Sequence, residues 1–477
     1  MSTERCEAAF GWGVDAARAL RLAEATVEEL CRPAKAYRAA AANLDLGLTG
    51  EAGVPLCDVV GEACAALRSA SHSPRHPSAL AHMVPPPATV AVIADFLKAA
   101  ANQCAFTVEQ APLAPHLERA VLEWAIATLG FPKAGGGLIT GGGTMSNYAA
   151  AFLALDAARR AERSGRPCVI ASDQCHYSIA KAARLIGLGQ DALWRVPTGV
   201  DGRIGDGAVA RAVRVARTAG FSPFLFVCTG GTTSAGTLEP VQPFALASQE
   251  CDAWLHIDGA HGAFVALTTN PPQDYWTLAD SVAWDAHKSL FTPYPAGLFL
   301  VRDIALLAPF AQETPYAFHD GGRVHPGFHH LEGSRGLDAL KIWMTIRHFG
   351  REGLTRIADH LVALARQLAE RVLADASFEL VTAPDTNIVC FRSTEGPEIA
   401  LDELNAAIQR RLHLAGHQLL SRTSIAGRTV LRAVLQNPLT RTRDLDELLA
   451  AVRSTAERLR AEIGDRDGGL VQRRIGR

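Results

Sequence analysis

Five short stretches carry residue types able to do covalent or acid–base chemistry, and each follows an apolar run of strand length. Gly141-Gly-Gly-Thr-Met-Ser-Asn147 follows residues 137–140, and Ser172-Asp-Gln-Cys-His-Tyr177 follows residues 168–171. Thr229-Gly-Gly-Thr-Thr-Ser234 follows residues 224–228, Asp258-Gly-Ala-His261 follows 254–257, and Asp285-Ala-His-Lys288 follows 281–284. Glycines let a backbone approach a ligand closely, and a helix beginning just after them offers unpaired N–H groups to an anion, with Thr144 and Ser146 as added hydroxyl donors. This is neither G-x-G-x-x-G nor a Walker A sequence, which weakens a nucleotide reading. Taken singly, His176 is an ordinary loop histidine, Asp258 a helix N-cap and Lys288 a surface lysine. A carboxylate just beyond a buried strand nevertheless calls for a cationic partner.

Together the five stretches describe one device. A pyridoxal phosphate site needs a lysine amine for an imine, a carboxylate for the ring nitrogen, a flat side chain on the ring face and a helix start for the phosphate. All four are present, each after its own strand.

The elements that position them alternate. Between about 90 and 345, candidate strands at 137–140, 168–171, 224–228, 254–257, 281–284 and 298–301 are interleaved with helix-like segments such as 145–160, 208–218 and 244–250. That pattern predicts an α/β fold with a mostly parallel sheet covered on both faces, whose ligand sits outside the carboxyl ends of its strands. Upstream, Leu20, Ala23, Val27 and Leu30 share one helical face within residues 14–37, a surface suited to another subunit. The turn-rich stretch around Pro74, Pro77 and Pro85 separates this part from the main body. Downstream, helical patterns at 355–375 and 400–414 and strands at 378–381, 388–391 and 430–434 predict a smaller α+β unit. The expected divisions are 1–85 (helical, dimer-forming), 86–345 (cofactor-binding), 346–463 (small domain) and a frayed tail, 464–477.

Composition sets the outer bounds. The 477 residues carry 47 Lys+Arg against 49 Asp+Glu, which argues against a nucleic-acid footprint. Ten cysteines without a C-x-x-C pair indicate neither a disulfide framework nor a zinc ribbon. The N-terminus has no signal-peptide pattern and no run is long enough to span a membrane, so a cytoplasmic location is expected.

The same residues resemble the group II pyridoxal-phosphate decarboxylases, the family of glutamate, cysteine-sulfinate and aromatic-amino-acid decarboxylases. The resemblance rests on Phe106-Thr-Val-Glu-Gln-Ala-Pro112, Thr140 to Asn147, Ser172 to Ser178, Gly231-Thr-Thr233, Trp254-Leu-His-Ile-Asp258 and His287-Lys288, across roughly residues 75–345. It implies a fold-type-I large domain and a homodimer that decarboxylates an L-amino acid, with its active site at the subunit interface. By the same resemblance Lys288 forms the internal aldimine, Asp258 pairs with the ring nitrogen and His176 stacks on the ring. Gly143 and Thr144 hold the phosphate near His287 and Asp285, Thr233 lies by the ring hydroxyl, and Ala260 packs beneath the ring. Phe106, Phe328 and His329 are implied in the substrate pocket.

The chain also departs from the family. Asp285-Ala stands where many relatives have Asn-Pro, His261 replaces an aromatic, and the stretch His319 to His330 lacks the tyrosine that usually protonates the carbanion. Tyr316 lies just before that stretch. In aromatic-acid relatives such a loop goes with oxidative deamination to an aldehyde, an alternative outcome here. The loop histidines do not form a recognisable metal-ligand frame, since Pro326 and Gly327 interrupt helical spacing between His325 and His329, so no metal is expected. Arg335 and Arg432 are candidates for a substrate carboxylate. A nicotinamide-dependent oxidoreductase and a non-catalytic protein of this fold are the rivals; the missing G-x-G-x-x-G opposes the first and the retained Lys288, Asp258 and His176 oppose the second.

Overall fold

The structure is a computed structural model and describes residues 14–31, 53–70, 74–312, 317–318, 325–394, 401–416 and 419–475. Two helices come first, α1 (Val14–Cys31) and α2 (Leu56–Ala70), followed by the two-residue strand β1 (Ala79–Leu80) and helices α3 (Thr89–Ala101) and α4 (Ala114–Leu129). The central run is β2 (Gly136–Thr140), α5 (Gly143–Arg160), β3 (Arg166–Ser172), α6 (Tyr177–Leu185), β4 (Leu193–Val196), α7 (Ala208–Thr218) and β5 (Phe221–Thr229). It continues with α8 (Val241–Glu250), β6 (Trp254–Asp258), β7 (Ser281–Trp284), the one-turn α9 (Ala286–Ser289) and β8 (Gly297–Val301). The C-terminal part comprises α10 (Ala339–Leu373), β9 (Phe378–Thr382), β10 (Ile388–Ser393), α11 (Leu401–Ala415), β11 (Leu419–Ile425), β12 (Arg428–Val434) and α12 (Thr442–Ile475).

The large sheet has the order β2-β8-β7-β6-β5-β3-β4. All neighbours are parallel except β8, which runs against both β2 and β7. Only the short α9 and a turn separate β7 from β8, too little chain for a crossover, so β8 returns antiparallel. Strands β6, β7 and β8 are buried along their whole lengths, as expected where helices cover both faces. One core lies beneath α4, α7, α8 and the start of α10; the other lies beneath α5 and α6 on the opposite face.

The second sheet has the order β1-β11-β12-β10-β9, packed against α10, α11 and α12. Its edge strand β1 comes from the turn-rich stretch expected to act as a separator, and it pairs in parallel with β11. That stretch is fastened further by Asn437 Nδ2, which donates to the Pro74 and His76 carbonyls, and by Thr440 Oγ1, which donates to Pro77 O.

Several elements differ from the periodicity reading. Helix α10 begins well before residue 355 and contains a non-helical Gly350 (φ 62°), so two helical runs join at a kink. Helix α12 spans Thr442–Ile475. In α1 the predicted face is only partly covered, since Leu20 and Val27 are exposed, while Thr26 is buried and accepts from Arg68 Nη1 of α2 at 2.8 Å. Residues 32–37, the end of the predicted first helix, lie outside the described residues, as do Tyr316 and residues 319–324.

Candidate active site

The carboxyl ends of β2, β3, β5, β6 and β7 open into one cavity of about 470 Å³. Its wall includes Gly143, Thr144, His176, Thr233, Asp258, Ala260, Asp285, His287 and Lys288, the nine positions expected to meet the cofactor. Asn147, Thr229, His261 and Tyr294 are also among its lining residues.

Lys288 lies in the single turn of α9, after the fully buried β7. Its Nζ is 2.9 Å from Asp285 Oδ2, which also sits 3.4 Å from His287 Nε2. His287 Nδ1 accepts from Ala296 N at 3.2 Å, so the ring hydrogen lies on Nε2 and points at Asp285. Burial opposes charge on Lys288, but the adjacent Asp285, with a smaller contribution from Asp258, outweighs it and raises the amine above the usual lysine value. Burial lowers His287, against the pull of Asp285. The acid that departs from the family pattern is thus the counter-charge of the lysine beside it, and its Oδ1 is buried without a hydrogen-bond partner.

Asp258 ends β6 and is buried. Its Oδ2 accepts from Asn147 Nδ2 at 2.8 Å and its Oδ1 from Ala260 N at 3.2 Å, so the carboxylate faces the cavity as an acceptor in a fixed orientation. His176 is the N-cap of α6, with Nδ1 2.7 Å from Ser178 Oγ. Burial lowers its pKa, against the attraction of Asp258, so the ring is neutral near pH 7.

The glycine turn before α5 is a cradle that a side chain would fill. A Cβ on Gly143 would lie 2.6 Å from Ala260 Cβ, and one on Gly142, whose φ is 140°, would lie 2.9 Å from His287 Cε1. Glycine is required at both positions, and the first amides of α5 have no intrahelical acceptor, which suits a phosphate. Ser146, expected as a second hydroxyl donor, is turned into the fold instead: its Oγ lies 3.0 Å from Thr140 Oγ1 and donates to Leu298 O at 3.3 Å. An amine, a fixed carboxylate acceptor, a flat imidazole and an anion cradle around one cavity fit pyridoxal phosphate.

The three residues expected in the substrate pocket do not line the cavity in this chain. Phe106 and Phe328 pack around Phe318, with ring centroids 5.1 and 5.5 Å from it, and His329 packs edge-on to Phe328 at 4.7 Å. Gly327 N donates to Phe106 O at 2.9 Å, closing this aromatic cluster on itself. Neither candidate arginine reaches the site. Arg335 forms a two-pronged ion pair with the buried Glu118, and Arg432 donates to the carbonyls of Thr233 and Ala81 and to Ser421 Oγ. Sequence reasoning passed over Asn147 as a working residue, although it closes the glycine motif and lies one helical turn beyond Gly143. His261 was noticed only as a departure, yet it is buried in the wall and lowered to about 3, first by burial.

This fold, with a cavity-lining lysine just past a strand end, a carboxylate beside it and an anion cradle, defines a pyridoxal-phosphate enzyme of the mixed α/β type. Residues 54–394 match the pyridoxal-dependent decarboxylase conserved domain, and the chain belongs to that family. It is 32% identical to an L-2,4-diaminobutyrate decarboxylase from Rhizobium meliloti (strain 1021), over 80% of this chain and 79% of that protein. It is 29% identical to an aromatic-L-amino-acid decarboxylase from Bacillus atrophaeus, over 80% and 82%. The crystal structure of mouse CSAD superposes with a TM-score of 0.85 at 26% identity, covering 94% of this chain and 99% of that one. The protein is a pyridoxal-phosphate-dependent carboxy-lyase acting on an amino acid. Among the described residues, no helix is long and apolar enough to cross a membrane.

Proposed function

We propose that the chain decarboxylates an L-amino acid to its amine and CO₂ as a cytoplasmic homodimer, with Lys288 as the residue that attaches the cofactor. The observation that carries this is the convergence of Lys288, Asp258, His176 and the Gly142–Gly143 cradle on one cavity. When bound, pyridoxal phosphate supplies an electron sink for the carbanion that remains as CO₂ leaves.

The chain's own groups do the rest. Lys288 Nζ would present the amine that attaches the cofactor, and its ammonium form, held by Asp285, could carry a proton within the cavity. Asp258 accepts the ring N–H and stabilises positive charge on that nitrogen. His176 would cover one face of the ring, Ala260 would pack against the other, and Thr233 would meet the ring hydroxyl. The first amides of α5, with Thr144 and His287, would hold the phosphate, and Asp285 holds the Lys288 ammonium. We assign residues 86–345 to cofactor binding, 346–463 to the small unit, and the N-terminal helices to the dimer contact, a role supported by the exposed Leu20 and Val27. Phe106, Phe328 and His329 then belong to the substrate side, completed when a second subunit covers the cavity mouth.

A second reading is favoured by the absence of tyrosine from residues 319–330: oxidative deamination, in which amino acid, O₂ and H₂O yield aldehyde, CO₂, NH₃ and H₂O₂. One experiment separates the two. A panel of L-amino acids is incubated under air and followed for CO₂, amine, aldehyde and peroxide. Amine without peroxide supports the first reading, and aldehyde with stoichiometric peroxide replaces it with the second. Borohydride reduction and peptide mapping should place the label on Lys288; a label elsewhere defeats the assignment.

A further inference from the structure

Behind the cavity, buried polar side chains from β6, β7, α5 and α6 form one continuous chain of hydrogen bonds. Trp254 Nε1 donates to Ser281 Oγ at 2.8 Å, and Ser281 Oγ lies 2.8 Å from His256 Nδ1. His256 Nε2 lies 2.8 Å from Asn147 Oδ1. Asn147 Nδ2 donates to Asp258 Oδ2 and to Ser178 Oγ, both at 2.8 Å, and Ser178 Oγ lies 2.7 Å from His176 Nδ1.

The direction of every bond follows from the chemistry of the groups. The Asp258 carboxylate only accepts, so the amide nitrogen of Asn147 faces it and the amide oxygen faces His256. That oxygen only accepts, so His256 carries its hydrogen on Nε2. Burial holds His256 down to about 4, so the ring is neutral and its Nδ1 is an acceptor, which takes the Ser281 hydroxyl hydrogen. Ser281 can give that hydrogen because Trp254 supplies one in turn. On the other branch Ser178 Oγ receives one Asn147 hydrogen and passes its own to His176 Nδ1. The only ring hydrogen left for His176 is on Nε2.

We infer that Asn147 is a positioning residue that couples the two cofactor-facing groups, turning the Asp258 carboxylate and fixing His176 as the Nε2–H tautomer through a one-way hydrogen-bond chain beginning at Trp254. This rests on the proposed role of Asp258 and His176 and deepens it. Its consequence is that His176 meets the ligand with an N–H donor and not with a lone pair, so in the resting protein it is not poised as a base. The coupling is possible because an amide is the one side chain here that can accept from His256 while donating twice, to Asp258 and to Ser178. Serine or threonine has a single hydrogen to give, and a carboxylate has none.

The discriminating substitution is therefore the isosteric one. Asn147→Asp keeps the shape and the acceptor for His256 but puts oxygen where both donors were. A merely packing role predicts that it is tolerated better than Asn147→Ala. Directional positioning predicts that it is at least as damaging, with kcat lowered about 10- to 100-fold, the range found for groups that orient primary ligands, and KM changed little. The visible circular dichroism of the bound cofactor should change in both variants. Asn147→Asp with kcat within about twofold of wild type overturns the inference. A second measurement needs neither variant nor cofactor: neutron diffraction from the unliganded wild-type protein should show deuterium on Nε2 of His256 and His176 and on neither Nδ1. Deuterium on either Nδ1 refutes the chain, whereas loss of borohydride labelling at Lys288 would refute the functional reading and leave the tautomers untouched.

Discussion

Replacing Asp285 by asparagine should change how the protein acquires its cofactor. Lys288 Nζ and Asp285 Oδ2 are 2.9 Å apart, and at an effective dielectric constant of about 20 two unit charges at that distance attract by about 6 kcal/mol. The lysine side chain keeps 22% exposure and an asparagine oxygen still accepts its hydrogen bond, so the realised change is smaller than that figure. The sign is fixed: the carboxylate favours the ammonium, so its removal lowers the Lys288 pKa. Below both values the neutral-amine fraction is therefore larger in the variant, and only the neutral amine attacks an aldehyde. Unliganded wild type and Asp285→Asn are mixed with limiting pyridoxal phosphate across a pH series, and attachment is followed by visible absorbance. The variant should load faster near neutrality, and its rate should level off at a lower pH. Pyridoxal without its phosphate serves as the control, because relief of repulsion between Asp285 and a phosphate would speed only the phosphorylated aldehyde. Identical pH–rate profiles in the two proteins would refute the reasoning.

Lys288→Ala should abolish product formation and borohydride labelling together; turnover near the wild-type level would remove Lys288 from its role. Asp258→Ala should still bind the cofactor but turn over more slowly by about two orders of magnitude or more, as measured by single-turnover CO₂ release, and a loss below about tenfold would contradict the ring-nitrogen assignment. Three buried histidines are depressed, His256 and His330 to about 4 and His261 to about 3, first by burial in each case. Their protonation favours the unfolded chain, so stability complete above about pH 6.5 should be lost as pH falls towards 4, on the order of 3 kcal/mol per group; a urea midpoint flat across that window would be inconsistent with this. His330→Gln, which can still donate to Ile139 O, should flatten part of the decline. In the core, Phe226→Ala should destabilise by about 3–5 kcal/mol in urea titrations, because its ring is fully buried; a loss under 1 kcal/mol would mean that the site collapses around the cavity.

The cofactor wall was legible in the sequence because each of its members follows its own apolar strand within a few residues, and parallel strands bring such ends together. Asn147 was not legible as a coupling group, because its partners His256 and Asp258 lie 109 and 111 residues away and only the sheet order joins them. Strand β11 escaped periodicity analysis because its centre reads Ser-Arg-Thr-Ser, and β4 because it is a short, half-exposed edge. The sense of β8 depended on the length of the β7–β8 connection and not on its own composition. Phe106, Phe328 and His329 came from resemblance alone, and no local pattern could show that they pack around Phe318. Ser146 was misplaced for a plainer reason: residues two apart on a helix face nearly opposite ways, so while Thr144 lines the cavity the Ser146 side chain points back into the sheet.

The parallel pairing of β1 with β11 means that the last sheet borrows its outer strand from a segment some 340 residues upstream. A fragment beginning after the large sheet would leave the backbone groups of β11 unpaired along that side, an open template for another copy. Such a fragment should self-associate, and supplying a peptide that spans Ala79 and Leu80 should suppress it.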